Sequence, residues 1–205
     1  MSETPPLNRR EQQVAVRREQ IIQAAASLFA SKGFHRTTTR DIAEAAGLSE
    51  GTLYNYYDNK NDLLIGIMNM LSAAQRMDMH LGHPVDESPG EFLLNILEQR
   101  REYINEYGTM LQSILSEILV DPALRHRYYQ EIVLPGLQDL EENYQKRLEM
   151  GQLEGFRPDF LARIVTSLIN GLYVLEVLGD PLVQEQWAAL SQAAAGMLSP
   201  GDQSG

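Results

Sequence analysis

Residues 38–57, Thr-Thr-Arg-Asp-Ile-Ala-Glu-Ala-Ala-Gly-Leu-Ser-Glu-Gly-Thr-Leu-Tyr-Asn-Tyr-Tyr, decide the fold. Thr38 followed three residues later by Asp41 has the spacing of a capping box, so a helix opens there. It runs through Ile42, Ala43 and Ala46 to a stop at Gly47. Ser49 is the next N-cap, and the helix it opens ends near Tyr57. Two short helices joined by a tight turn containing glycine form a helix-turn-helix. The second helix of such a pair enters the major groove by its N-terminal part while the first crosses the DNA backbone. Ala43, Ala46 and Gly47 allow close helix approach, and Ile42, Leu48 and Leu53 are placed to pin the pair to a preceding helix.

The same grammar extends outward on both sides. Upstream, Ile21, Ile22, Ala25, Leu28 and Phe29 share one helical face, and Gly33 ends it. Downstream, Asn59 with Asp62 caps a fourth helix that continues towards His80, until His83-Pro84 interrupts the pattern. Ser88-Pro89-Gly90-Glu91 restarts it, and Asp121-Pro122 and Asp180-Pro181 repeat the cap-plus-proline signature. No alternating apolar and polar run reads as a strand, and no repeat of fixed period is visible. The expectation is an all-α fold of about nine helices. Four parts are expected: a disordered or fraying arm over 1–16, a helix-turn-helix DNA-binding domain over 17–62, a ligand-binding and dimerisation domain over 63–199, and a disordered tail over 200–205.

Composition bounds the function. A chain of 205 residues with 43% hydrophobic content can bury a sizeable core, and the absence of cysteine excludes disulfides and thiolate metal sites. No stretch approaches the ~20 uninterrupted apolar residues of a membrane span, and no leader opens the chain, so a cytoplasmic location is expected. The net charge of −11 argues at first against nucleic acid. Its distribution answers the objection. Residues 1–65 carry eight Lys/Arg and eight Asp/Glu, so the whole excess of acid lies in residues 66–205. A neutral segment with a basic face can still bind phosphate if it alone approaches the duplex.

The surface of the second helix suits that task. Gly51 and Thr52 leave room for DNA, and Thr52 offers a methyl and a hydroxyl. Asn55 can bond bidentately to adenine, and the hydroxyls of Tyr54 and Tyr56 can reach phosphate oxygens. Lys60 opens the next helix, where its ammonium and nearby backbone N–H groups can meet phosphate. Each has a plainer reading: the tyrosines as half-buried aromatics, Arg40 as a solvated helix charge, Arg9 and Arg10 as a basic tail rather than a minor-groove arm.

The run Thr-Thr-Thr-Arg-Asp-Ile-Ala-Glu-Ala-Ala-Gly-Leu-Ser-Glu-Gly-Thr-Leu-Tyr-Asn-Tyr-Tyr-Asp-Asn-Lys-Asn-Asp-Leu-Leu (37–64), with Ala-Ala-Ala-Ser-Leu-Phe-Ala-Ser-Lys-Gly-Phe (24–34) before it, resembles the signature of the tetracycline-repressor (TetR) family. The resemblance implies a homodimeric repressor with three DNA-binding helices, a divergent ligand-binding domain and double-stranded operator DNA as partner. By position it implies that Thr38, Arg40, Ser49, Gly51, Thr52, Tyr54, Asn55, Tyr56 and Lys60 face DNA. Three residues depart from the pattern. Glu50 stands where many members carry lysine, Asn55 where histidine is frequent, and Tyr57 where phenylalanine packs. Glu50 reads more readily as a solvent-facing charge that complements the helix dipole than as a base reader.

Residues 66–205 carry no catalytic constellation, and no enzyme activity, cofactor or metal is expected of them. The histidines His35, His80, His83 and His126 lie on different elements; His80 and His83 read as a surface pair. Residues 160–178 are apolar almost all round a helix and must be covered on several sides. The simplest cover is the same region of a second subunit, with Leu168, Leu172, Leu175, Trp187, Leu190 and Ala194 at the interface. A small-molecule effector is expected among Met68, Met77, Tyr103, Tyr107, Met110, Tyr144 and Tyr173, oriented by Glu117 and Asn170. The alternative is a binding or interaction module that has lost specific DNA reading, with Glu50 as its symptom.

Overall fold

A computed structural model describes the backbone of residues 8–82 and 87–198, and the side chains of 8–73 and 87–198. Among these residues the chain is all-α. Its helices are α1 (Arg9–Lys32), α2 (Thr39–Ala45), α3 (Glu50–Leu53), α4 (Lys60–Gly82), α5 (Pro89–Val120), α6 (Pro122–Tyr128), α7 (Leu134–Glu149), α8 (Pro158–Val177), α9 (Pro181–Glu185) and α10 (Trp187–Gly196). A π turn, Tyr129–Val133, joins α6 to α7 without a break, so the described residues form nine continuous helical rods. The π turn has a local cause. Pro135 has no N–H to give and its ring crowds the carbonyl four residues back, and a widened turn just before it absorbs both.

The caps form as the sequence directs. Thr38 and Asp41 bond reciprocally, Ser49 accepts from the N–H of Thr52, and Asn59 and Asp62 exchange bonds of 3.2 and 3.0 Å. Ser88 with Glu91, Asp121 and Asp180 do the same for α5, α6 and α9. One element begins earlier than expected. Helix α1 starts at Arg9, inside the segment 1–16 read as a fraying arm, because Asn8 and Glu11 make a further capping box. This first stretch, Arg9–Gln20, buries no apolar face, so apolar periodicity gives no sign of a helix there.

The chain divides into two compact units. The first holds residues up to Met70 together with Thr109–Arg127; the second holds Leu71–Gly108 and residues from Tyr128 onward. This is not a single cut at 62/63, and polar side chains explain the difference. His35 Nε2 lies 2.7 Å from Glu117 Oε1, Asn61 donates to Asp121 Oδ2 at 3.2 Å, and Arg127 pairs with Asp62. Residues 109–127 are thereby tied to the start of α4. The buried side chains of this unit include Ile21, Phe29, Ile42, Leu53, Leu63 and Ile67. Gly66 lets α4 pass close to α1: a Cβ there would stand 2.5 Å from Ile22 Cδ1.

The second unit has its own core, formed by Phe92, Leu97, Leu140, Tyr144, Val165, Ile169 and Trp187 among others. Arg147, 0% exposed, is answered on every side: Asn143, Gln152 and the backbone and carboxylate of Glu87 accept from it, and its guanidinium lies 4.6 Å from the Phe92 ring. The chain's one tryptophan, Trp187, is buried in this core with the Arg101 guanidinium 5.0 Å from its ring.

Candidate functional site

Helix α2 packs against both α1 and α3. Gly47 takes φ 68° in the turn, a conformation that side chains with a Cβ rarely adopt. It lets the N–H of Leu48 reach back to the Ala43 carbonyl at 2.8 Å. A second link was not foreseen. Thr39 Oγ1 donates to Glu50 Oε1 at 2.6 Å and lies 3.2 Å from the Tyr54 hydroxyl. Glu50 is therefore half-buried and engaged, rather than a free solvated charge, and fixes the start of α3 against α2.

The outward side of this pair carries Thr38, Arg40, Ser49, Gly51, Tyr54 and Asn55, all exposed, with Thr52 and Tyr56 half-buried. Tyr54 keeps 46% of its surface open although its hydroxyl is held near Thr39. No side-chain partner occupies Arg40 or Asn55 among the described residues. Gly51 is informative because no described residue requires it. A Cβ there would meet open space, and its φ is ordinary. A shallow groove lined by Arg40, Ala43, Glu44, Gly47, Leu48, Ser49 and Glu50 runs beside it. Thr52 has its hydroxyl on Ser49 Oγ at 2.8 Å, so its methyl is the freer group.

Lys60 departs from the expectation. Its ammonium donates to the carbonyls of Phe34 and Thr37 at 2.7 and 3.1 Å and lies 4.2 Å from the Phe34 ring. Desolvation lowers its pKa, and the charge of Glu117 works the other way. Lys60 thus stitches the α1–α2 loop to α4 instead of presenting a free charge. Nothing in the local sequence revealed this, because the two carbonyls lie more than twenty residues upstream. Tyr57 is half-buried beneath the Arg18 guanidinium, 5.7 Å from its ring, and burial raises the pKa of its hydroxyl.

The residues read as effector-binding are divided between the two units. Met68 and Met110 are buried in the first unit, and Glu117 lies against His35 there. Tyr144 lies in the core of the second unit, and no described residue bonds its buried hydroxyl. Asn170 is exposed on α8. The side chains of Met77 and His80, and the whole of His83, lie outside the described residues. Three remain together: Tyr103 and Tyr107, with ring centroids 5.1 Å apart, and Tyr173, whose hydroxyl donates to the Gly108 carbonyl at 3.4 Å. Arg100 and Tyr128 lie beside Tyr103. Arg100, Tyr103 and Tyr107 recur at helical spacing on α5, a signal the sequence did contain.

The residues assigned to a subunit interface need a similar correction. Leu172, Trp187 and Ala194 are buried in the chain's own core, and Leu168 and Leu190 pack against it; only Leu175 is exposed. The helices hold a different free face. Along α8 and its C-cap the exposed apolar residues are Phe160, Ile164, Val174, Leu175, Val177 and Leu178, with Ile164 at 60% and Leu178 at 75%. Ala188, Ala189, Ala193 and Met197 are the exposed counterparts on α10. By length and hydropathy alone α8 could span a bilayer. Here one stripe of it, including Leu161, Val165, Ile169 and Leu172, is core.

Known proteins agree with this architecture. The sequence profile of the bacterial regulatory proteins of the tetR family matches residues 21–67. The HTH-type transcriptional repressor KstR2 of Mycolicibacterium smegmatis is 42% identical over 197 residues, covering 85% of this chain and 86% of that protein. A crystal structure of the transcriptional regulator FadR from Bacillus subtilis in complex with stearoyl-CoA shares the fold, with a TM-score of 0.73 at 22% identity over 89% of this chain and 98% of that one. FadR from Thermus thermophilus, a TetR-family repressor in complex with lauroyl-CoA, superposes with a TM-score of 0.67 at 25% identity, covering 88% and 92%. With α2 and α3 forming the helix-turn-helix and a relative of this identity covering most of both chains, the chain belongs to the tetR family of bacterial regulatory proteins, among the HTH-type transcriptional repressors.

Proposed function

We propose that the protein is a homodimer whose two α3 helices enter successive major grooves of a pseudo-palindromic operator, about 34–36 Å apart, and that an acyl-CoA thioester releases it. The observation that carries the DNA half is Gly51: a glycine that the fold does not need, set among exposed Arg40, Ser49, Tyr54 and Asn55. Close approach of a partner from outside accounts for it. Arg40, Thr38, Ser49 and the hydroxyls of Tyr54 and Tyr56 are suited to phosphates, and Asn55 with the Thr52 methyl to base edges. Lys60 acts indirectly, by holding the loop ahead of α2.

The exposed apolar face of α8 and α10 supports the dimer, since a run such as Phe160, Ile164, Val174 and Leu178 is costly to leave in water. The effector class is supported by the likeness to regulators seen with stearoyl-CoA and lauroyl-CoA. The protein works where its operator lies, in the cytoplasm. Mobility-shift titration on the DNA upstream of its own gene tests both halves. A specific band at moderate salt that dodecanoyl-CoA abolishes is the expected result; equal affinity for random duplexes would sink the DNA reading.

A further inference from the structure

Among the described residues the second unit holds two further recessed arginines besides Arg147, and the three differ in one respect. Arg101 pairs with Glu176 and Arg147 with Glu87. Among the described residues no carboxylate pairs with Arg100. The groups near its guanidinium are phenols: the Tyr103 ring, 5.5 Å away, and Tyr128. Burial disfavours its charge. A lysine so placed could shed its proton, but an arginine cannot, so its charge has to be answered by something. Aromatic faces answer it only in part.

The surroundings are built for an anion attached to an apolar body. Tyr103 neighbours Tyr107, Tyr128 and Tyr173, which brings phenols from α5, α6 and α8 to one place. Burial raises the pKa of Tyr103, Tyr128 and Tyr173, so each remains a neutral phenol, and Tyr173 gives its O–H to the Gly108 carbonyl. The π turn opens directly after Tyr128, a widening that recurs at functional sites. Residues 66–205 are acidic in sum, so a recessed positive charge there runs against the balance of its own stretch of chain.

Resting on the reading that this protein responds to an acidic acyl compound, we propose that Arg100, framed by Tyr103, Tyr128 and Tyr173, binds an anionic oxygen of the effector, a carboxylate or phosphate joined to an apolar chain. The test is calorimetric titration of the full-length protein with dodecanoyl-CoA, dodecanoate and dodecanol, in wild type, Arg100→Gln and Arg100→Lys. The anionic probe is expected to bind Arg100→Gln roughly ten- to a hundredfold more weakly, as loss of a hydrogen-bonded charge dictates. Arg100→Lys should recover part of this, and dodecanol should bind all three alike. Binding by dodecanoate assigns the oxygen to a carboxylate; binding by dodecanoyl-CoA alone assigns it to a phosphate. Equal affinity of the anionic probe for wild type and Arg100→Gln overturns the proposal and leaves the acyl-CoA reading intact. Failure of both anions to bind wild type removes that reading and the proposal with it. If Arg100→Gln does not fold, Arg100→Lys and Tyr128→Phe carry the same comparison.

Discussion

At Asn55 and Lys60 two polar residues five apart meet different fates, and substitutions should separate them. Asn55 has a free amide on the exposed side of the helix-turn-helix. Asn55→Ala is expected to weaken binding by about 1–3 kcal/mol at one operator position and to relax base preference there, read by mobility shift on a set of single-base variants. Lys60 is occupied by Phe34 and Thr37 carbonyls. Lys60→Met should therefore lower thermal stability, by about 1–3 kcal/mol from two stranded carbonyls, while the salt dependence of DNA binding keeps its slope. A slope reduced by about one with unchanged stability would instead mark a phosphate contact. Arg147 is the third such case: Arg147→Ala leaves Glu87 without its buried cation and is expected to cost about 3–5 kcal/mol in chemical denaturation. None of these partnerships is visible in a local window of sequence, since the Glu87 that faces Arg147 lies sixty residues away.

The helices show which sequence signals are self-sufficient. Caps are, because a Ser, Thr, Asn or Asp and an acid three residues on satisfy backbone N–H groups without help from the rest of the chain; Thr38–Asp41, Asn59–Asp62 and Ser88–Glu91 all form. They also carry a pH signature. Hydrogen bonds to Thr38 hold the Asp41 carboxyl below its ordinary value of 3.8, and Ser88 does the same for Glu91. A depressed pKa means stability that is present above the ordinary carboxylate range and lost as pH falls through the folded value. Asp41→Asn should therefore remove part of the acid-side loss, measured as unfolding midpoint against pH between about 5 and 2. Helix α8 shows the opposite case. Its composition made several covered faces necessary, but periodicity alone did not say which stripe meets the chain's own core. Leu172 went inward and Ile164 outward. Ile164→Lys or Val174→Lys should leave the core intact, give a monomer by light scattering and abolish specific DNA binding, whereas Val165→Lys should unfold the second unit.

Over the whole chain, the separation of charge orders these effects. The acidic excess falls in residues 66–205, and the helix-turn-helix lies in the neutral remainder, so the approach to DNA is confined to one part of the molecule. The all-helical architecture and the DNA-reading pair were legible because both rest on short-range rules: caps, a turn glycine, a 3.6-residue period. The two-unit division was not. It depends on His35, Asn61 and Asp62 meeting Glu117, Asp121 and Arg127, contacts that only the folded chain brings together. Of the residues proposed to hold the effector, Tyr103, Tyr107 and Tyr173 stand out in the sequence by their chemistry, whereas an arginine is ordinarily a surface charge and Arg100 reads as one. The position of Trp187 has a further use. The first unit has no tryptophan and the second has one, in its core. Excited at the indole band, the protein emits from the second unit alone, whereas its far-ultraviolet dichroism sums every helix. The molecule therefore carries its own optical gauge: midpoints that coincide between the two signals mean the units melt as one, and midpoints that part mean each melts by itself.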